Sequence, residues 1–199
     1  GNDLNGDSID DLVCGVPTYG DGTAIIYFGN SNISAIQSIS ITSNVNSLLG
    51  VTLSSILDIN NDGKPDLLIG APGGGAYEGT DGYAAIMYGH NISEPFPSTM
   101  LVDGFNGVNG FVISDPATPN NLIGGQVASV GDVNNDRVSD IIIANQGPGV
   151  TYVIFGLGGD QPNPSPTFNP SVSYVPSQTG ECPGHSDDDS YSLGDLIGG

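Results

Sequence analysis

Three stretches of this chain carry one oxygen-rich pattern, Asp-x-Asn-x-Asp-x-x-x-Asp, at residues 3–11, 58–66 and 132–140. Carboxylate, amide and carbonyl oxygens at this spacing are ligands for a hard cation. Calcium takes six to eight oxygens at about 2.3–2.6 Å. Side chains at loop positions one, three, five and nine, with the carbonyl at position seven, can supply most of that set. The candidate ligands are Asp3, Asn5, Asp7, the Ile9 carbonyl and Asp11 in loop 1. They are Asp58, Asn60, Asp62, the Lys64 carbonyl and Asp66 in loop 2, and Asp132, Asn134, Asp136, the Val138 carbonyl and Asp140 in loop 3. Three carboxylates in a tight turn repel one another without a cation, so metal binding and local folding should be coupled. Up to three structural calcium ions are expected. Acidic turns that hold no metal are the alternative, and calcium titration separates the two.

These loops are not EF-hands, whose twelfth position carries a bidentate Glu at the start of a helix. Here Cys14, Ile69 and Ile143 stand at that place, inside apolar runs. The sixth position is Gly63 in loop 2 but Ser8 and Arg137 in the others. If it needs a left-handed backbone, a non-glycine residue costs about 1–2 kcal/mol there, and loops 1 and 3 should be the weaker sites.

Each loop runs directly into an apolar stretch stopped by Gly, Pro or a polar residue, at residues 11–15, 66–72 and 140–144. Such runs read as central strands. A Gly-containing turn and a second run ending in aromatic-Gly follow, at 24–29, 84–89 and 151–156. Further strands are expected upstream of loops 2 and 3, at 51–57 and 126–131. Each of these follows a hydrophobic-Gly pair, Leu49-Gly50 and Ile123-Gly124, whose Gly lies eight positions before the loop's first Asp. Residues 38–42 and 110–114 add one more strand per unit. Abundant Gly (31) and Pro (14) and the absence of Trp fit an all-β protein with many turns. About four strands per unit is the size of a propeller blade.

The loops, the Gly15-Val16-Pro17 and Gly70-Ala71-Pro72 triplets and the aromatic-Gly strand ends resemble the FG-GAP repeat of integrin alpha-subunit propellers. The resemblance covers most of residues 1–156, and residues 109–140 carry the fullest match. Unit three departs from it, with Ala144-Asn145-Gln146 at the Gly-Ala-Pro position. The resemblance implies four-stranded antiparallel blades of propeller type, in an incomplete propeller or open array. Residues 1–199 then form one repeat region with units at about 1–48, 49–121 and 122–195 and the start of another at 196–199. Within it, residues 157–185 read as a Pro-rich irregular segment.

The charge balance limits the partners. With 22 acidic against 2 basic residues, the net charge is −20. This argues against nucleic acid and anionic membrane surfaces. The two cations, Lys64 and Arg137, both lie inside acidic loops. No apolar run approaches the roughly 20 residues of a membrane-spanning helix, and the chain reads as a mature or internal segment. Asn32-Ile33-Ser34 and Asn91-Ile92-Ser93 are N-glycosylation sequons at equivalent places after the aromatic-Gly ends. Cys14 and Cys182 leave open a disulfide or a buried free thiol at Cys14. No catalytic residues are assigned, since His90 and His185 flank no recognisable nucleophile and no phosphate-cradling loop is present.

The expected function is a non-catalytic extracellular or cell-surface scaffold, stabilised by calcium, with adjoining repeats, other copies, or a protein or glycan ligand as partners. A filament subunit assembled head to tail by strand complementation is the second reading. An accessory propeller of a larger surface enzyme is the third.

Overall fold

The computed structural model describes residues 2–19, 21–73, 81–91, 96–114 and 122–156. Among these residues the regular structure is β-strand with two short 3-10 turns and no α-helix. Sheet 2 is the complete unit. Its strands β4 (Thr52–Ile56), β5 (Asp66–Ala71), β6 (Tyr83–Met87) and β8 (Gly110–Ser114) pair in that order, all antiparallel. Sheet 1 has the order β1 (Leu12–Val16), β2 (Thr23–Tyr27), β3 (Ser38–Thr42) and β7 (Thr99–Leu101). Sheet 3 comprises β9 (Ile123–Gly131), β10 (Asp140–Asn145) and β11 (Val150–Ile154), with β10 in the middle.

The expected antiparallel blade holds throughout sheet 2 and for the first three strands of sheet 1. The exception is β7, which pairs in parallel with β3 although it lies in the connection between β6 and β8 of sheet 2. Its Met100 and the following Val102 are buried in the core between sheets 1 and 2, which accounts for the placement. Three described sheets are fewer than the roughly four to eight blades that close a propeller, and the three do not close a ring.

The pleat sends successive side chains to opposite faces, and β5 is buried on both. Leu67, Ile69 and Ala71 enter the core shared with sheet 1, beside Ala24, Ile26, Ile39 and Ile41. Leu68 enters the core shared with sheet 3, beside Ile141, Ile143 and Tyr152. Continuous burial explains the unbroken apolar sequence of β5. On β1 the position equivalent to Leu67 is Leu12, which is 61% exposed.

Glycine sets how closely the sheets approach. A Cβ on Gly15 would collide with the Gly50 carbonyl, and one on Gly70 with the Gly124 carbonyl. Sheet 3 has Ala144 at that position. Gly50 and Gly124 themselves have positive φ, 90° and 85°, so the eight-residue lead-in begins on a turn that favours glycine.

Candidate metal centres

The three acidic loops fold alike. In loop 2, Asp62 N and Gly63 N donate to Asp58 Oδ1 and Oδ2 at 3.0 and 2.7 Å. Lys64 N donates to Asp62 Oδ1 at 2.9 Å, and Asn60 Nδ2 to Asp62 Oδ2 at 3.1 Å. Loop 1 repeats this with Asp3 accepting from Asp7 N and Ser8 N, Asp7 from Ile9 N, and Asn5 donating to Asp7. Loop 3 repeats it with Asp132 accepting from Asp136 N and Arg137 N, Asp136 from Val138 N, and Asn134 donating to Asp136.

Backbone conformation is shared too. The sixth position is left-handed in all three loops, with φ of 69° at Ser8, 85° at Gly63 and 73° at Arg137. The fourth position is also left-handed, at Gly6, Asn61 and Asn135 with φ of 72°, 59° and 62°. Glycine and asparagine are the residues that visit this region most readily. The sequence reading anticipated the sixth position and missed the fourth.

The ninth residue ties each loop to its sheet. Asp66 Oδ2 accepts from Ile59 N at 2.8 Å and Oδ1 from Gly89 N at 2.9 Å. Asp11 accepts from Leu4 N and Gly29 N at 2.7 and 2.9 Å, and Asp140 from Val133 N and Gly156 N, both at 2.8 Å. The aromatic-Gly strand ends are therefore amide donors to the loop. They are glycine because a Cβ on Gly29, Gly89 or Gly156 would strike the backbone carbonyl of Asp10, Pro65 or Ser139. The second residue of the loop is an inward plug: Leu4 and Ile59 are each 1% exposed, whereas Val133 is 54% exposed. Sequence reasoning missed both roles, although an apolar residue at position two of every loop was a usable signal.

The electrostatics of loop 2 are those of acids held together against repulsion. Burial pushes the Asp66 carboxyl up to about 7, partly offset by the N–H bonds from Ile59 and Gly89 and reinforced by Asp62 and Asp58. Asp11 is raised for the same reasons, burial first, with Asp7 and Asp3 adding to it. Burial, then Asp66 and Asp62, pushes the neighbouring Tyr88 hydroxyl up to about 12. Lys64 offers Asp62 an ion pair at 3.4 Å. A divalent cation would reverse this balance.

Among the described residues no group of three or more His, Cys, Asp or Glu side chains is arranged to hold a metal ion. The loop carboxylates instead turn onto loop amides. Their donor chemistry nonetheless fits calcium: hard oxygens dominate, and each carboxylate oxygen that accepts one N–H keeps further acceptor capacity.

The other candidate residues are scattered. Asn32 is exposed and its Oδ1 caps a 3-10 turn by accepting from Ser34 N at 3.1 Å. Asn91 is exposed, while Ile92 and Ser93 lie outside the described residues. Cys14 is half-buried on β1 and forms no disulfide with a described residue; Cys182, His185, the Pro-rich segment and residues 196–199 lie outside them. The His90 ring packs 4.4 Å from Phe96, which in turn stacks on Phe28.

Acidic loops pinned into stacked antiparallel sheets define a bladed β-repeat protein. Residues 49–87, which span β4, loop 2, β5 and β6, match the FG-GAP repeat family model. It is 26% identical to integrin alpha-6 of Gallus gallus over 150 residues, 72% of this chain and 12% of the integrin. Integrin alpha-6 of Homo sapiens is 34% identical over 77 residues, 35% of this chain and 7% of the integrin. The phosphatidylinositol-glycan-specific phospholipase D of Homo sapiens is 36% identical over 104 residues, 46% of this chain and 12% of the enzyme. The chain thus spans a small part of each of these relatives. Among the described residues no helix is long and apolar enough to cross a membrane.

Proposed function

We propose that this chain is a non-catalytic scaffold of the extracellular adhesion type, in which up to three calcium ions would hold the acidic loops and through them the sheets. The similarity to integrin alpha-6 supports the adhesion role and the cell-surface setting. One observation carries the calcium part: in all three units the loop's ninth Asp bonds both the loop's own second residue and the glycine ending the second strand of the hairpin. Ordering the loop therefore orders the hairpin.

The ligands proposed are those expected from the sequence: Asp3, Asn5, Asp7, Ile9 and Asp11; Asp58, Asn60, Asp62, Lys64 and Asp66; and Asp132, Asn134, Asp136, Val138 and Asp140. Bound calcium supplies positive charge against carboxylates that have almost no protein counter-charge. The chain's own residues do the rest. Asp58 and Asp62 hold the turn, Asp66 links it to Gly89, and Ile59 seats it in the core.

Calcium titrated into chelator-treated protein should give heat and raise the melting temperature, as a ligand that prefers the folded state must. Neither heat nor a thermal shift would defeat the calcium reading. Recognition of a protein or glycan partner would fall to exposed loops, and Asn32 and Asn91 are the proposed glycosylation sites. Mass lost on deglycosylation of protein from a secretory host checks the latter.

Two other assemblies are alternatives. Copies joined head to tail by strand complementation would build a filament, which electron microscopy would show. The similarity to the phospholipase D favours an accessory unit beside a catalytic domain, and the test is whether a longer encoded protein contains one.

A further inference from the structure

The hydrogen bonds that close loop 1 and loop 2 run into one another. Asp66 Oδ1, at the end of loop 2, accepts from Gly89 N at 2.9 Å. The adjacent amide, His90 N, donates to the Leu4 carbonyl at 2.9 Å. Leu4 N in turn donates at 2.7 Å to Asp11 Oδ2, the end of loop 1. One dipeptide, Gly89-His90, therefore joins the two terminal carboxylates through a single residue of loop 1.

Packing follows the same line. Leu4 is 1% exposed in the core that also holds Met87, two residues before Gly89. A Cβ placed on Gly6 would lie 3.5 Å from the His90 carbonyl oxygen, so the body of loop 1 rests on the same dipeptide. Loop 3 meets loop 2 by a different route: Ser139 N donates to the Asp58 carbonyl at 3.4 Å, while the second residue of loop 3, Val133, is 54% exposed and belongs to neither core.

We propose that loops 1 and 2 bind divalent cations cooperatively, coupled through Leu4 and the Gly89-His90 dipeptide; this rests on the calcium reading above. A cation that fixes Asp66 fixes Gly89, and with it the amide that holds Leu4. Leu4 then places its own N–H for Asp11. The ion bound first removes part of the ordering cost that the second would otherwise meet, and the effect is reciprocal. The positions that transmit it, Leu4, Gly89 and His90, are positioning residues and not ligands.

Amide exchange by nuclear magnetic resonance on the full chain, with calcium as the probe, tests the coupling. In D58N/D62N, loop 2 loses two ligands but keeps Asp66, and calcium enters loop 1. Exchange at Gly89 N–H should then slow about fivefold or more on adding calcium, the lower range of ordinary coupling. Reciprocally, D3N/D7N should weaken calcium binding at loop 2 by a similar factor in calorimetry. Leu4→Ala, or Leu4→Val where the alanine variant does not fold, should still bind calcium but weaken this mutual dependence, because the buried side chain seats the Leu4 N–H and carbonyl that carry it. Unchanged Gly89 exchange in D58N/D62N, or equal loop 2 affinity with and without an intact loop 1, overturns the coupling while leaving calcium binding standing. Absence of heat in the unmodified protein instead removes the calcium reading on which it rests.

Discussion

Loops 2 and 3 share a pattern, a backbone shape and a set of hydrogen bonds, yet they sit in opposite surroundings. The second residue of loop 2, Ile59, is 1% exposed and packs among Leu68, Ile86, Ile141 and Ile143. Its counterpart Val133 is 54% exposed. The loop is thus a local device that folds on its own side-chain to backbone bonds, and its second residue becomes structural when a neighbouring sheet receives it. The sheets differ in the same sense. At the close contact between sheets, Gly70 faces the Gly124 carbonyl, and the equivalent position on sheet 3 is Ala144.

The contrast is sharpest in the plugs. Ile59→Ala should cost about 2–5 kcal/mol of stability in denaturant unfolding, the range for deleting a buried large aliphatic side chain. Val133→Ala should stay within roughly 0.5 kcal/mol, as for exposed sites. Equal losses at the two positions would show that burial at loop 2 is not what distinguishes them.

A somewhat smaller effect is expected at the inter-sheet contact. Gly70→Ala places a Cβ against backbone, which cannot rotate away, and should cost about 1–3 kcal/mol or more. Ala144→Gly should lose only the helix-independent chain-entropy difference, about 0.5–1 kcal/mol. A Gly70→Ala variant that melts like the parent would mean the sheets separate more easily than their packing implies.

A more gradual difference appears with pH in the metal-free protein. The Asp66 carboxyl sits near 7 in the folded state against an ordinary 3.8, so the folded chain binds this proton more tightly than the unfolded one. Between those values the folded state carries the extra proton, so stability falls as pH rises from about 4 to 7 and levels off above. Asp11, raised for the same causes, adds to that slope. Melting curves of chelated protein across this range should show the decline, and Asp66→Asn should flatten it. Calcium should counteract the decline, because it stabilises the ionised form.

The smallest predicted effects concern the sixth loop position. Ser8 and Arg137 adopt φ of 69° and 73°, a region that disfavours side chains with a Cβ. Ser8→Gly and Arg137→Gly should each stabilise by up to about 1 kcal/mol, whereas Gly63→Ala should destabilise by a similar amount. Calorimetry on the same variants would show whether calcium affinity follows the backbone.

Much of this architecture was legible in the residues. The loop pattern announced three equivalent turns, and the apolar runs after them announced β1, β5 and β10; β5 is the clearest, since a strand buried on both faces has no polar alternation to disguise it. The requirement at position six could be read from Gly63 alone. Other features were hidden because they depend on partners remote in sequence. Nothing around Thr99–Leu101 signals that β7 would pair with β3 in another sheet. The second and last positions of each hairpin look like ordinary strand residues until Asp66 is seen to bond both Ile59 and Gly89.

By itself, then, the sequence determined the local units: which residues turn, which extend, and where oxygen donors gather. These follow from steric limits and short-range hydrogen bonds within about ten residues, and they repeat wherever the pattern repeats. Tertiary structure decided how the units differ. Whether a loop's second residue is a core plug or an exposed side chain depends on the sheet packed beside it. That is why Leu4 and Ile59 are buried while Val133 is not, and why loops 1 and 2 share a hydrogen-bonded dipeptide that no stretch of sequence around either loop reveals.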